Sequence, residues 1–436
     1  MRLRAWFGWI PALVAIGVLF FPKGVALAAP PPTGVASGAI NEAGLVAVPE
    51  VSERALRFYQ TGNLAWAVET VWDLAIPAVL FLGGWAAGLQ RRVEQSFSGR
   101  RAKTGVYWLL FAGIFGLADF PVLFARQYWR PHWFGLSDQP FLAWGWDVLK
   151  ASAVGAGLGL LAVWAGFYAI RRFPRRWWLA GGLAMLPVTL ALTFLEPVVL
   201  EPLFNKFEPL GDRGLEAKVR ALAKSAGLEH PVVYQVNKSR QTKALNAYVS
   251  GLFGSSRIVL WDTLLAGMTE REILSVVGHE IGHRVLDHIW KSMLVFWGLG
   301  VLGLWMCQKG AEWILSRWGP ALRLTSLTEP AAIGLFVSLL LAAEFVLDPV
   351  GLAYSRHIEA EADRFGLELT RDNHAGATAE LKLGLQNLAN PRPDWWYMIL
   401  RASHPSNASR IEFFNTYKPW AAGEPLRYGD LIHGDP

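Results

Sequence analysis

The chain has 436 residues, of which 53% are hydrophobic and only 17% charged, with 22 Trp and a formal net charge of +6. That balance excludes an ordinary soluble domain and a disordered chain, and it points to a polytopic membrane protein whose Trp residues anchor at interfaces and fill cores. The positive charge falls in clusters beside apolar segments and so calls for no nucleic-acid partner, while the single Cys307 excludes an intrachain disulfide.

Seven apolar segments follow one another at about 5–28, 70–89, 105–125, 147–170, 177–200, 292–308 and 331–348. The first reads equally as a signal peptide or a first transmembrane helix over 1–28, because MRLR, an apolar run and Ala26-Leu27-Ala28 fit either. Residues 29–68 open on a Pro, Gly and Ala-rich stretch and read as a linker and pre-membrane segment. Four transmembrane helices then occupy 69–200. The polar block 201–290 predicts a helix over 215–228, strands over 232–236 and 257–261 and a third over 247–253. It ends in a helix from Thr269, where Glu272 completes a capping box. Two further transmembrane helices fill 291–348, and the first follows so directly on the Thr269 helix that one continuous helix is expected. The second polar block, 349–436, predicts helices over 353–369 and 375–388. Both blocks bracket the last two spans, so they lie on one side and can fold together. The expected class is an α-helical polytopic membrane protein with a mainly α polar domain carrying a small β-sheet.

The Thr269 helix carries His279-Glu280-Ile281-Gly282-His283. Helical positions four apart are offset by roughly 40°, so both imidazoles reach one metal while Glu280 points at its open face. A structural zinc site is usually closed by four ligands rich in Cys; with one Cys available, two His plus a carboxylate and one open position is the fitting arrangement. The segment Ser355-Arg356-His357-Ile358-Glu359-Ala360-Glu361-Ala362-Asp363 supplies the third ligand. Glu359 is read as that ligand and Asp363, on the same face, as the acceptor orienting a ligating His through its other ring nitrogen. Glu361 lies roughly 200° around the helix from Glu359 and cannot join them. The competing reading of this run is a solvated acidic face. His288, about 140° from His283 on a continuous helix, is not expected to be a ligand. Glu344, within the last span, should face a protein or water-filled interior.

HEIGH, then SRHIEAEAD after two hydrophobic segments, then SHPSNASRI near the C-terminus resemble the integral-membrane CAAX prenyl proteases, zinc metalloendopeptidases of the HExxH gluzincin type. YWRPHWFGLSDQPFLAWGWDVLK at 128–150, EPLFNKFEPL at 201–210 and NAYVSGLFGSSRIVLWDTLL at 246–265 extend the resemblance over most of the chain. It implies about seven helices enclosing a chamber in the lipid bilayer and one Zn2+ per chain held by His279, His283 and Glu359. Glu280 is then the general base, His404 the donor to a developing oxyanion, with Arg410 supporting the site, and Asn246 and Ala247 lie on a strand that takes the substrate backbone. The implied partner is a peptide or protein substrate, with prenylated C-terminal tails as the family's own. A broader quality-control protease of membrane proteins is one alternative. A non-enzymatic membrane protein with a structural zinc site is another, against which Glu280 argues, since such a site needs no carboxylate between its histidines.

The basic residues cluster in MRLR, in Arg91, Arg92, Arg100, Arg101 and Lys103, in Arg171, Arg172, Arg175 and Arg176, and more weakly in Lys309, Arg317 and Arg323. If these groups are cytoplasmic, five spans carry the chain outward and both polar blocks face away from the cytoplasm. Family analogy places the site on the cytoplasmic side instead. The charge bias and the signal-like N-terminus point to a multi-pass protein of a bacterial inner membrane with an extracytoplasmic catalytic domain.

Overall fold

The structure, a computed structural model, describes residues 44–250 and 257–433. The first apolar segment, the opening of the expected linker and positions 251–253 of the expected third strand lie outside the described residues. Among the described residues six helices are long and apolar enough to cross a membrane. They are α1 (Glu53–Leu82), α3 (Arg100–Trp133), α4 (Phe141–Arg172), α5 (Trp177–Leu203), α8 (His288–Trp318) and α9 (Ala332–Thr370). Side chains such as Val71, Leu183, Val188, Leu294 and Val346 are exposed on these helices. Among the described residues nothing covers them, as suits the helices of a multi-pass membrane protein.

The spans differ from the expected segments in instructive ways. Helix α1 begins at Glu53, inside the expected linker, with Ser52 capping it by accepting from the Ala55 amide. Its polar first turns are packed against α3, where Arg130 donates to the Phe58 carbonyl and to Thr61 and lies 3.7 Å over the Phe58 ring. The expected segment over 70–89 is cut at Leu82 by Gly83 and Gly84, the latter at φ +75°, and a separate helix, α2 (Trp85–Ser96), follows. The expected boundary at 348/349 falls within α9, which runs unbroken for 39 residues through Pro349. A proline there forfeits one backbone hydrogen bond, and the packing on both sides keeps the helix going. Glu344 sits on α9 within electrostatic reach of Asp73 on α1.

The six spans alternate, so the connections 83–99, 173–176 and 319–331 share one side. The segments 44–52, 134–140, 204–287 and 371–433 share the other. On that second side β1 (Phe207–Pro209), α6 (Arg213–Ser225), β2 (Val232–Val236), β3 (Ala247–Ser250) and β4 (Arg257–Trp261) precede α7 (Glu270–Val285). Helices α10 (Asn373–Gln386) and α11 (Asn407–Thr416) follow α9. The sheet order is β1-β2-β4-β3, antiparallel except for the β2/β4 pair, which leaves β3 at an edge among the described strands. Val219, Ile258, Leu260, Leu264, Val277, Ile281, Phe365 and Leu369 form one buried core beneath the sheet. That core fixes α7 between the sheet and α9.

Helix α7 starts with the capping box, Thr269 and Glu272 each satisfying the other's backbone amide, and Lys382 of α10 is 2.7 Å from Glu272. Contrary to the expectation of one continuous helix, α7 stops at Val285 and α8 begins at His288. Asp287 between them is left-handed at φ 56°, a conformation that Asp tolerates better than most residues. Helices α7 and α9 touch backbone to backbone. A Cβ on Gly366 would come within 2.6 Å of the His279 amide nitrogen, and one on Gly282 within 3.2 Å of the Ala362 Cα. At 366 only glycine lets the two helices approach this closely, and at 282 any larger residue would press on the α9 backbone; the close crossing brings their side chains into one site.

Candidate metal centre

At that crossing α7 contributes His279, Glu280 and His283, and α9 contributes Glu359 and Asp363. The Nε2 atoms of His279 and His283 are 3.1 Å apart. Glu359 Oε2 lies 3.2 Å from His279 Nε2, and its Oε1 lies 3.7 Å from His283 Nε2. Ligand atoms of all three residues fall within 4.8 Å of one another. Four donors arranged tetrahedrally at zinc bond lengths sit about 3.3 Å apart. The set therefore fits that ion. Glu359 Oε2 is also buried without a well-aligned hydrogen-bond donor, which a cation would satisfy.

Each ring is held by its other nitrogen. His279 Nδ1 is 2.8 Å from Asp363 Oδ1. Asp363 is itself gripped by Arg410 of α11 through two bonds, Nε to Oδ2 at 2.8 Å and Nη2 to Oδ1 at 2.6 Å. Arg410 Nη1 reaches Glu380 of α10 at 2.7 Å, and Asn407 donates to the same carboxylate. Glu380 carries no sequence signal of its own, since a lone Glu in a helix outside the motifs looks like a surface residue. Burial pushes the Glu380 carboxyl up, and Arg410 counters it; burial disfavours charged Arg410, yet Asp363 and Glu380 hold it firmly protonated. Burial also works against a charged His279, but its bonds to Asp363 and Glu359 win and raise it to about 10. The field at the His279 ring thus favours positive charge, as a cation site requires.

Glu280 does not join the ligand group. Its Oε2 accepts from the Val249 amide of edge strand β3 at 3.3 Å. Burial raises its carboxyl above the ordinary range, partly offset by the two histidines. Ala247 is buried on β3, whereas the exposed Asn246 turns its side-chain oxygen onto the Ala247 amide at 2.9 Å. His404 lies on the loop before α11, with Nε2 3.2 Å from Glu359 Oε2 and Nδ1 3.0 Å from the Ser403 hydroxyl. Burial lowers His404 to about 4, so it is neutral near pH 7, and its Nε2 faces into the site. Arg356 on α9 donates to the Ala402 carbonyl at 2.7 Å and holds this loop in place. Glu361 points away from the group, as its helical phase requires.

The described geometry can be set beside known proteins. The "CAAX prenyl protease N-terminal, five membrane helices" family model matches residues 58–206, and that of peptidase family M48 matches residues 209–418. The metalloprotease YhfN of Bacillus subtilis is 33% identical over 279 residues, covering 64% of this chain and 66% of that protein. CAAX prenyl protease 1 of Saccharomyces cerevisiae is 28% identical over 319 residues, covering 69% of this chain and 70% of that protein. The human CAAX prenyl protease 1 homolog is 28% identical, with only 57% of its length spanned. The crystal structure of S. mikatae Ste24p superimposes with a TM-score of 0.68 at 22% identity, over 82% of this chain and 87% of that one.

Proposed function

The chain belongs to peptidase family M48, with the CAAX prenyl protease N-terminal region as its membrane part, and from that premise we propose that it is a membrane-embedded zinc metalloendopeptidase. The observation that carries the reading is the convergence of His279, His283 and Glu359 with a separate carboxylate, Glu280, beside them. One zinc ion held by those three side chains would supply an acidified water and a polarised carbonyl. Glu280, its basicity raised by burial, takes the proton of the attacking water and returns it to the leaving amine. His404 donates from Nε2 to the oxyanion that develops. Asp363 and Arg410 fix the His279 ring. The β3 edge, with Asn246 and Ala247 at its start, receives the substrate backbone as an added strand.

The substrate is a flexible tail or unfolded segment that can lie extended along β3. Relatives named as CAAX prenyl proteases favour a prenylated C-terminal tail. One observation favours the broader quality-control reading: Arg91, Arg92, Arg100, Arg101 and Lys103, and again Arg171, Arg172, Arg175 and Arg176, flank the connections opposite the catalytic segments. In a bacterial inner membrane that bias argues for a site outside the cytoplasm. With Cys307 replaced, Asp435→Cys should react with a membrane-impermeant thiol reagent on intact cells. Labelling only after lysis would return the site to the cytoplasmic side. For the substrate, cleavage sites should be mapped side by side on a prenylated peptide and a misfolded membrane protein. Cleavage that depends on the prenyl group supports CAAX-type processing; cutting of both substrates, with the prenyl group dispensable, supports the broader reading.

A further inference from the structure

We infer that His288 is a positioning residue for the ligand His283, anchored in turn by Glu361; the inference rests on the zinc reading above. On an unbroken helix residues five apart are rotated by about 140° and their rings cannot meet. The left-handed Asp287 breaks the helix and swings His288 back, so that its Nδ1 lies 3.0 Å from His283 Nδ1 and the rings pack edge to face, centroids 5.1 Å apart. His288 is only 2% exposed. A buried imidazole must place both nitrogens usefully, and its Nε2 faces Glu361 Oε2 at 3.4 Å without another partner.

One neutral proton arrangement suits the whole chain of contacts. For His283 to present a lone pair at Nε2, its proton must sit on Nδ1 and be donated to His288 Nδ1. The His288 proton then sits on Nε2, directed at the Glu361 carboxylate. The reverse arrangement would put a proton on His283 Nε2, against His279 Nε2 3.1 Å away, and remove the donor pair. Glu361 is steadied from the C-terminal segment, where Tyr428 donates to its Oε1 at 3.4 Å and Arg427 Nη2 lies 3.6 Å from the same oxygen. Each metal-facing ring is thus tied to a different face of α9: His279 directly to Asp363, and His283 through His288 to Glu361. The glutamate that points away from the ligand group therefore still serves it.

The test compares His288→Asn, which keeps an acceptor where Nδ1 stands, with His288→Leu, which fills similar space without one. Zinc affinity of the full-length protein in detergent is read by chelator competition, and the cobalt-substituted protein by its visible absorption. His288→Leu should weaken zinc by roughly 10- to 100-fold and shift the cobalt bands. His288→Asn should stay close to wild type, and Glu361→Gln should weaken zinc in the same direction by less. Should His288→Leu fail to fold, the Asn and Gln variants carry the test. Wild-type affinity and cobalt bands in both His288→Leu and Glu361→Gln would overturn the relay, and so would an Asn variant as weak as the Leu one. In either case zinc lost from His283→Ala alone would leave the metal assignment standing. Wild-type protein that binds no zinc would overturn both.

Discussion

Glu280→Gln should retain about one zinc per chain while peptidase activity falls by about 10²–10⁴-fold or more. The substitution preserves volume and keeps an oxygen to accept from the Val249 amide, so β3 and α7 stay in register. None of the three ligand side chains is touched. What disappears is a group able to take a proton from water and give it back. Metal content by mass spectrometry and cleavage of a labelled peptide on the same preparation separate the two effects. A Gln variant of wild-type activity would remove Glu280 from the chemistry. A variant that lost its zinc would make it a ligand instead.

Replacement of His279, His283 or Glu359 by Ala should have the opposite profile, with zinc and activity lost together, because a three-ligand site has no spare donor. Glu359→Ala is the decisive member. The sequence offers Asp363 and Glu361 as substitutes, but Asp363 is committed to His279 and Arg410, and Glu361 faces His288. Neither carboxylate is free to turn inward. Zinc retained in full by Glu359→Ala would move the third ligand to one of them and force the geometry to be reassigned.

The HEIGH helix, its capping box and the Glu359/Asp363 face were legible because they follow from helical periodicity and short-range hydrogen bonding. Strands β2 and β4 were legible for the same kind of reason. What sequence could not give depends on contacts distant in the chain. The polar start of α1 looked like a linker because its hydropathy is low, yet Arg130 of α3, Asp394 and Arg401 all bond to it. An unbroken helix keeps His288 away from His283, and the left-handed Asp287, which no sequence pattern announces, voids that premise. Glu380 gains its buried role only when α10 is folded against Arg410. The expected division at 348/349 followed a fall in hydropathy that the helix itself ignores.

That last point bears on how such a protein can be taken apart. Because α9 is a single rod whose first half lies among the spans and whose second half carries Glu359 and Asp363, no cut in the chain separates a peptidase from a membrane anchor. A gene fragment beginning at 349 would carry Glu359 and Asp363 but leave behind α7 with His279, Glu280 and His283. Residues from two sides of the α8 span, His279 and His283 before it and Glu359 after it, meet in one group, so the group cannot be cut out of the chain without the span between them.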